Sequence, residues 1–470
     1  MKLTLPLHDG WIFRRADQTE ARAAIVPGCV HQDLLAHALI ADPFYGENES
    51  ALQWIGEAGW VYETEFSSSA EVLARRRVVL RCEGLDTFAT VRLNGVPFGR
   101  ADNMFRTWEW DVQPHLQPGA NRLEITFDSV MPYIRERQAK HPMFSWNGAG
   151  GCAYNGTAYV RKMACNFGWD WGPKLVSAGI WKPISLVAWD AGRIDDVRIT
   201  QHHTAGVVAL DVSAEVAASD VISVRVAASL EGVSVAAAQG GAGEALRLAI
   251  PDPQLWWPNG LGAQPLYTVT VETLDSAGTV LDVATRRVGL RTLELQRRPD
   301  EWGESFQFAV NGVSFFAKGA NWIPMDPFPS SARPARARQL LEAAAATHMN
   351  MIRVWGGGVY AGDDLLDACD ELGLLVWHDF MFACTTYPTY DDAFLASIEA
   401  EARDAVRRIR HRACLALWCG NNELEQGLVA DAWGPKTMSW ADYDKLFNAL
   451  LPRVVTELDG VTSYWPCSPH

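Results

Sequence analysis

The segment MIRVWGGG, residues 351–358, is a short apolar run that ends in three glycines and precedes a stretch of helical composition. It belongs to a series of four such runs. The other three are FFAKGANWIP at 315–324, LLVWHDFMF at 374–382 and CLALWCGNNE at 414–423. Helices are expected near 333–348, 363–372, 391–410 and 440–458. This alternation indicates parallel strands joined by crossover helices, so residues 298–470 are predicted to form an α/β region.

Polar side chains lie where these apolar runs end. They are Asn321, Arg353, Asp379, Asn422 and Glu423. The carboxyl ends of parallel strands share one edge, and in a (β/α)8 barrel that edge is the active-site face. The α/β region is therefore predicted to be part of a TIM barrel with its site at this edge.

The two regions before the α/β region have the pattern of antiparallel β structure. In residues 1–190, the segment 89–93 alternates apolar and polar side chains and ends at an Asn-Gly pair, which favours a type I′ hairpin. In residues 191–297, the segment 267–271 alternates in the same way. We expect a β-sandwich in residues 1–190 and one immunoglobulin-like sandwich in residues 191–297.

Composition excludes several classes of protein. The 470 residues contain 41 Lys and Arg against 56 Asp and Glu, and the net charge of −15 disfavours nucleic acid or an anionic membrane as partner. No apolar run reaches the length of about 18 residues that spans a membrane. The first residues, MKLTLPLHDGWIF, have no sustained apolar segment and no small-residue cleavage site, so we expect no secretion signal. The nine cysteines show no framework spacing, so we expect reduced thiols in a cytoplasmic protein. No spacing indicates a metal or cofactor. The 20 tryptophans favour a carbohydrate site, although most are expected in the core.

Glu423 is the leading candidate for an acid–base residue. It follows the apolar run 415–418 and a Gly-Asn-Asn turn, and indoles such as those of Trp418 and Trp355 are expected beside it. Partial desolvation would raise the pKa of its carboxyl, which could then donate a proton near neutral pH. The alternative is a carboxylate stabilised at a helix N-terminus by the helix dipole. The spacing alone does not separate the two.

Three further residues have a binding and a structural interpretation. Asn422 would place an amide beside the same site, or it serves as a turn residue. Arg353 needs a carboxylate partner inside an apolar strand, so it either orients an acid or forms a structural ion pair. Asp170 lies between Trp169 and Trp171 in NFGWDWGP, and an ionised carboxylate flanked by indoles suits the hydroxyl groups of a sugar. A turn aspartate packed by aromatic side chains is the alternative.

The chain resembles the β-mannosidases of glycoside hydrolase family 2. The motifs that carry the resemblance are PGCVHQDLL (27–35), DPFYGENE (42–49), NFGWDWGP (166–173), WWPNGLGAQPLY (256–267), KGANWIP (318–324), RVWGGGVY (353–360) and WCGNNELEQ (418–426). The resemblance implies a jelly-roll, sugar-binding-like sandwich, an immunoglobulin-like domain and a catalytic barrel. It implies retaining exo-hydrolysis of terminal, non-reducing β-D-mannose from oligosaccharides, without a cofactor or metal.

The resemblance also implies a role for each matching residue. Glu423 matches the acid/base residue and Asn422 the asparagine at the sugar 2-hydroxyl. The remaining substrate-binding residues that it implies are Asp170, Trp169, Trp355, Trp433 and Arg353. The nucleophile of the family lies at the seventh barrel strand, three β/α units after the strand that precedes Glu423. At about 31 residues per unit, this position is roughly 93 residues past Glu423 and therefore past residue 470. We therefore expect an N-terminal part of a longer enzyme, with an incomplete barrel and no nucleophile within the chain.

Two alternatives stay open at this point. One is a catalytically inactive carbohydrate-binding fragment. The other is a related family 2 exo-glycosidase of the β-glucosaminidase or β-galactosidase type, although WDWG together with RVWGGG favours a mannosidase. The sequence does not determine the oligomeric state or the preference for the leaving group.

Overall fold

Two antiparallel sheets share one apolar core in the first region. The computed structural model describes residues 1–145, 154–217, 223–429 and 437–470. The six-stranded sheet has the order Arg22–Ala23, Ile12–Arg15, Trp60–Ser68, Gly119–Asp128, Phe88–Leu93 and Val96–Ala101. The four-stranded sheet has the order Leu3–Pro6, Ile184–Trp189, Arg77–Cys82 and Trp108–Asp111. Side chains of both sheets meet in one cluster of buried apolar residues, as in a β-sandwich.

Short elements join the strands of the first region. Its helices are Val30–Ala36, Asn48–Ala51, Trp54–Glu57, Ala70–Leu73 and Val130–Lys140, with single 3₁₀ turns at Gln113–His115, Thr157–Tyr159 and Ala164–Asn166. Two further strand pairs are Leu85–Asp86 with Gly179–Ile180, and Phe167–Trp169 with Gly172–Lys174. The expected hairpin is present, because Asn94 and Gly95 join two paired strands with φ of 52° and 82°.

The second region contains two smaller antiparallel sheets. One has the order Arg193–Thr204, Val207–Ala217 and Leu246–Pro251. The other has the order Val233–Gly241, Ser223–Leu230, Tyr267–Leu274 and Val280–Val288. Alternate residues of the strand Tyr267–Leu274 are buried between the sheets, which is the basis of the predicted period-2 pattern.

The third region is a parallel sheet with helices, as the succession of apolar runs predicts. Its strands are adjacent in chain order: Gly319–Trp322, Met351–Val354, Leu375–Asp379, Leu415–Cys419 and Tyr464–Trp465. Every neighbouring pair is parallel. Its helices are Pro334–Ala346, Asp363–Leu372, Asp392–Ile409, Leu424–Leu428, Trp440–Tyr443, the π-helix Asp444–Leu450 and Leu451–Leu458, with a 3₁₀ turn at Pro329–Ser331. Closure into an eight-stranded barrel stays a prediction.

A small antiparallel sheet precedes the parallel one. Its order is Leu293–Gln296, Gln307–Val310 and Val313–Phe315, and Pro299–Asp300 pairs with Gly303–Glu304 beside it. The boundary predicted between residues 297 and 298 thus falls directly after the first strand of this sheet. The domain limits themselves stay a prediction.

The first and third regions share a core. Met163, Trp169 and Trp181 of the first region belong to the same apolar cluster as Trp355 and Phe380 of the third. The backbone N–H of Cys165 donates to the carbonyl of Gly357 at 3.1 Å. This packing brings the hairpin around residue 170 to the carboxyl end of the strand Met351–Val354.

Candidate active site

Glu423 lies at the carboxyl end of the strand Leu415–Cys419, directly before the helix Leu424–Leu428. Its backbone is left-handed, with φ of 67°, and its N–H donates to the carbonyl of Ser468 at 3.1 Å. The turn before it requires glycine, since a Cβ at Gly420 would come within 2.3 Å of the Tyr464 hydroxyl and 2.4 Å of the Pro466 carbonyl. The side chain of Glu423 is only partly buried, so it can be reached from solvent.

A chain of hydrogen bonds joins Glu423 to the neighbouring strands. Arg353 donates from Nη2 to Oδ1 of Asn422 at 2.9 Å, and Asn422 donates from Nδ2 to Sγ of Cys384 at 3.2 Å. The Cys384 thiol donates to Oε2 of Glu423 at 3.1 Å. Three consecutive parallel strands therefore contribute to one network at their carboxyl ends.

Arg353 is fixed by a buried carboxylate. Its Nη2 and Nε donate to the two oxygens of Asp379 at 2.7 and 3.2 Å. Asp379 is fully buried and accepts two further hydrogen bonds, from the Gly356 N–H and the Trp377 indole, both at 3.1 Å. Burial opposes the charge of Arg353, but the carboxylate of Asp379 raises the pKa of the guanidinium above its usual value. The structural ion pair considered for Arg353 is thus present, and the same side chain also binds Asn422.

Three tryptophans meet beside this network. Trp355 follows Arg353 by two residues, and its ring lies 4.8 Å from that of Trp169 and 5.6 Å from that of Trp171, both edge-on. Trp169 and Trp355 are buried, while Trp171 is 44% exposed. These contacts hold the hairpin Phe167–Lys174 against the third region.

Asp170 is exposed at the tip of that hairpin, between the paired strands Phe167–Trp169 and Gly172–Lys174. Among the described residues, its carboxylate has no hydrogen-bond partner. The Asp170 side chain is exposed to solvent, in contrast to that of Asp379. Trp433, the remaining predicted contact, lies outside the described residues.

The structure brings together Arg353, Asn422 and Glu423 by hydrogen bonds, and Trp169 with Trp355 by ring contact. Sequence reasoning missed Cys384, which joins Asn422 to Glu423. The sequence feature that could have indicated Cys384 is its position two residues after the apolar run 374–382, where the polar residues of the predicted site also lie. That position does not distinguish a thiol in a polar network from one that fills the core.

Three further observations on the described residues concern metal ligands, membrane-spanning helices and cysteines. Within the ranges that the structure covers, no three His, Cys, Asp or Glu side chains are grouped so that they could hold a metal ion. No helix in these ranges is long and apolar enough to cross a membrane. The eight cysteines in the same ranges are buried and unpaired.

Two parts of the chain match models of one family of enzymes. The family model described as "Glycosyl hydrolase 2 galactose-binding domain-like" matches residues 11–182, and "Glycosyl hydrolases family 2" matches residues 192–291. Residues 11–182 and 192–291 are therefore domains of glycoside hydrolase family 2. Among the relatives of the chain, the β-mannosidase B of Aspergillus terreus is 38% identical over 486 residues, which cover 98% of this chain and 57% of that protein.

Solved structures agree with this family. The crystal structure of a β-D-mannosidase from Dictyoglomus thermophilum superposes with a TM-score of 0.92 and 38% identity, covering 99% of this chain and 58% of that one. The exo-chitosanase of Amycolatopsis orientalis shares the fold at a TM-score of 0.74 and 17% identity, over 99% of this chain and 53% of that one. The chain thus spans less than two thirds of the length of the relatives it matches.

Proposed function

We propose that this chain provides the acid/base residue and part of the sugar-binding site of a retaining exo-β-mannosidase. The network from Arg353 through Asn422 and Cys384 to Glu423 carries the proposal, since it holds a solvent-accessible carboxylate in one orientation at the edge where a barrel enzyme acts. The named β-mannosidases at 38% identity support mannose as the sugar. The substrate is then an oligosaccharide with a terminal β-D-mannose.

In this mechanism Glu423 acts twice. It first donates a proton to the glycosidic oxygen as the bond to the leaving group breaks, and it then takes a proton from the water that releases the sugar. Asn422 binds the sugar 2-hydroxyl, and Arg353 holds the amide of Asn422 so that this contact is available. Asp170 binds further hydroxyl groups of the terminal sugar, while Trp169 and Trp355 line its pocket. Trp433 is proposed as another aromatic contact.

The proposed mechanism needs a second carboxylate besides Glu423. A retaining glycosidase needs a nucleophile about 5–5.5 Å from the acid/base carboxyl. We place it in the part of the relatives' length that this chain does not match, at the seventh strand of a (β/α)8 barrel. The parallel strands from Gly319 to Trp465 are proposed as the first five of that barrel. The cytoplasmic location stays a prediction.

The test uses the enzyme expressed from the complete open reading frame. Wild type should hydrolyse p-nitrophenyl β-D-mannoside far faster than the corresponding β-galactoside or β-glucosaminide. Glu423→Gln should lower kcat/KM for an unactivated mannoside by about 10²–10⁴, the contribution of general acid–base catalysis. Glu342→Gln, on the exposed face of the helix Pro334–Ala346, is the control and should leave the rate unchanged. Preference for another sugar, or a fully active Glu423→Gln, contradicts the proposal.

A second candidate is sugar binding without hydrolysis by the 470-residue chain itself. The observation in its favour is that the chain matches only 57% of the length of a relative such as the Aspergillus terreus enzyme. Calorimetric titration of mannose into this chain carrying Glu423→Gln separates binding from chemistry. Saturable binding that Asp170→Asn abolishes would support the second candidate.

A further inference from the structure

Cys384 occupies an unusual place for a buried thiol. It follows the strand Leu375–Asp379, it is 4% exposed, and its sulfur lies within hydrogen-bond distance of both Asn422 and Glu423. The direction of these bonds follows from Arg353, which can only donate. Since Oδ1 of Asn422 accepts from Arg353, the Asn422 amide nitrogen must face the sulfur, which accepts from it. The one proton of the thiol is then directed to Oε2 of Glu423.

Burial keeps this thiol in its donor form. Burial and the nearby charge of Glu423 raise the pKa of Cys384 well above that of a free cysteine. The sulfur is therefore a hydrogen-bond donor at neutral pH and not a nucleophile.

The backbone fixes both ends of the contact. Cys384 has φ of 46° and Glu423 has φ of 67°, which are uncommon values for residues with a Cβ. The Cys384 N–H donates to the Asn422 carbonyl at 2.9 Å, and the Glu423 N–H is held by Ser468. Two left-handed residues therefore face each other across adjacent strand ends, and these backbone hydrogen bonds hold their Cα positions within reach of the side-chain contact.

We propose that Cys384 is a positioning residue for Glu423: its thiol holds Oε2, so that Oε1 is the oxygen that exchanges protons with the glycosidic oxygen and with water. Among the described residues, Oε1 has no hydrogen-bond partner, whereas Oε2 has the thiol. The inference rests on the proposed function, because it assigns the two oxygens of the proposed acid/base residue.

The experiment compares two leaving groups in the enzyme from the complete open reading frame. 2,4-Dinitrophenol departs with little help from an acid, whereas phenol requires a proton as it leaves. A donor-free variant should therefore lose kcat/KM on phenyl β-D-mannoside about tenfold more than on 2,4-dinitrophenyl β-D-mannoside. The donor-free variants are Cys384→Ala and Cys384→Gly, the second chosen because glycine adopts the left-handed backbone without strain. Cys384→Ser keeps a donor and should remain within about threefold of wild type on both substrates.

The controls separate this role from packing and from the proposed function. Cys414→Ala removes another fully buried thiol, directly before the strand Leu415–Cys419, whose sulfur contacts the Leu366 carbonyl. This variant should not change the ratio between the two substrates. Equal losses on both substrates in Cys384→Ala and Cys384→Gly would overturn the proposal, as would a serine variant that behaves like alanine. If Glu423→Gln shows the selective loss on phenyl mannoside and these variants do not, only the role of Cys384 fails. If wild type cleaves neither mannoside, the proposed function fails, and the inference with it.

Discussion

Two buried arginine–carboxylate pairs in this molecule have similar geometry and different surroundings. Arg161 donates to both oxygens of Glu401 at 2.6 and 2.9 Å, and Arg353 donates to both oxygens of Asp379 at 2.7 and 3.2 Å. The side chains of the first pair are 4% and 1% exposed, and those of the second are 18% and 0% exposed. Arg161 comes from the first region, while Arg353 belongs to the third.

The two pairs differ in their other contacts: those of the first pair are enclosed within the fold, and those of the second pair lead to the candidate site. Glu401 also accepts from Asn103 and Tyr360, and the Arg161 guanidinium lies 4.2 Å from the Phe382 ring centre, so the first pair is enclosed at the junction of two regions. Arg353 instead donates to Asn422, the Asn422 amide donates to Cys384, and the Cys384 thiol donates to Glu423. Burial of an ion pair alone therefore does not indicate function. The feature that indicates a functional site is a chain of hydrogen bonds that ends at a solvent-accessible side chain, here Glu423.

The first and largest effect is expected at the enclosed pair. Arg161→Met leaves the Glu401 carboxylate buried without its cation, which should lower the free energy of unfolding by about 3–5 kcal/mol. Denaturant unfolding followed by tryptophan fluorescence measures this. Arg297→Met breaks the exposed pair with Glu304 and should cost less than about 1 kcal/mol. Equal losses in the two variants would mean that the enclosed pair contributes no more than a surface pair.

The pair at the site should show a smaller loss of stability and a larger loss of activity. Arg353→Met leaves Asp379 with two donors, as Arg161→Met leaves Glu401, but the Arg353 side chain is 18% exposed against 4% for Arg161. Water can therefore take the place of the Arg353 guanidinium, and the unfolding free energy should fall by about 1–3 kcal/mol. The folded variant of the complete enzyme should nevertheless lose more than tenfold in kcat/KM, because the amide of Asn422 is released. A folded Arg353→Met enzyme with full activity would reduce this pair to the same structural role as Arg161.

Local patterns allowed much of the fold to be predicted, and distant contacts limited the prediction of the site. The period-2 segment and the Asn-Gly pair predicted the hairpin at residues 88–101, and the apolar runs predicted four parallel strands. The fifth strand, Tyr464–Trp465, was not predicted, because two residues carry no periodicity and its position depends on pairing with Leu415–Cys419. The polar strand ends indicated Arg353, Asn422 and Glu423. The role of Cys384 depends on a contact across 39 positions, which no local pattern carries.

The pH dependence of the free energy of unfolding tests His378, whose contacts connect the two arginine–carboxylate pairs. His378 precedes Asp379, and its ring stacks on Tyr360, whose hydroxyl donates to Glu401. Its Nε2 accepts from the Ala361 N–H, so Nδ1 carries the proton and donates to the Asp379 carbonyl. Burial lowers the pKa of this imidazole to about 3, although the bond to Asp379 favours the charged form.

The sign of the effect follows from which state binds more protons. Between pH 6.5 and pH 3 the unfolded chain protonates this histidine and the folded protein does not, so its contribution to stability is lost as pH falls. The loss should be about 1.4 kcal/mol between pH 8 and pH 5.5. His378→Gln removes this dependence, and the difference between the two stability–pH curves isolates it from other histidines. Parallel curves for the two proteins would show that the pKa of His378 is the same in the folded protein and in the unfolded chain.

The smallest effect on stability is expected at Asp170, whose exposed carboxylate can be compared with the buried carboxylate of Asp379. Asp379 is fully buried with four donors, whereas Asp170 is exposed and has no partner among the described residues. Asp170→Asn should therefore change the free energy of unfolding by no more than about 0.5 kcal/mol. Its carboxylate is proposed to accept from sugar hydroxyls, and loss of a charged hydrogen bond of about 1.5–3 kcal/mol corresponds to roughly 10- to 100-fold weaker binding.

The matched control for this substitution is Asp300→Asn. Asp300 is also exposed beside the turn of a two-residue strand pair, with Gly303–Glu304 as its partner, but it is not part of the proposed site. Both variants should unfold like wild type, and only Asp170→Asn should weaken mannose binding in calorimetry or raise KM in the complete enzyme. A stability loss at Asp170 without an effect on binding would make it a structural turn residue. An effect on binding without a stability loss would place sugar recognition on Asp170, an exposed side chain that contributes little to the stability of the fold.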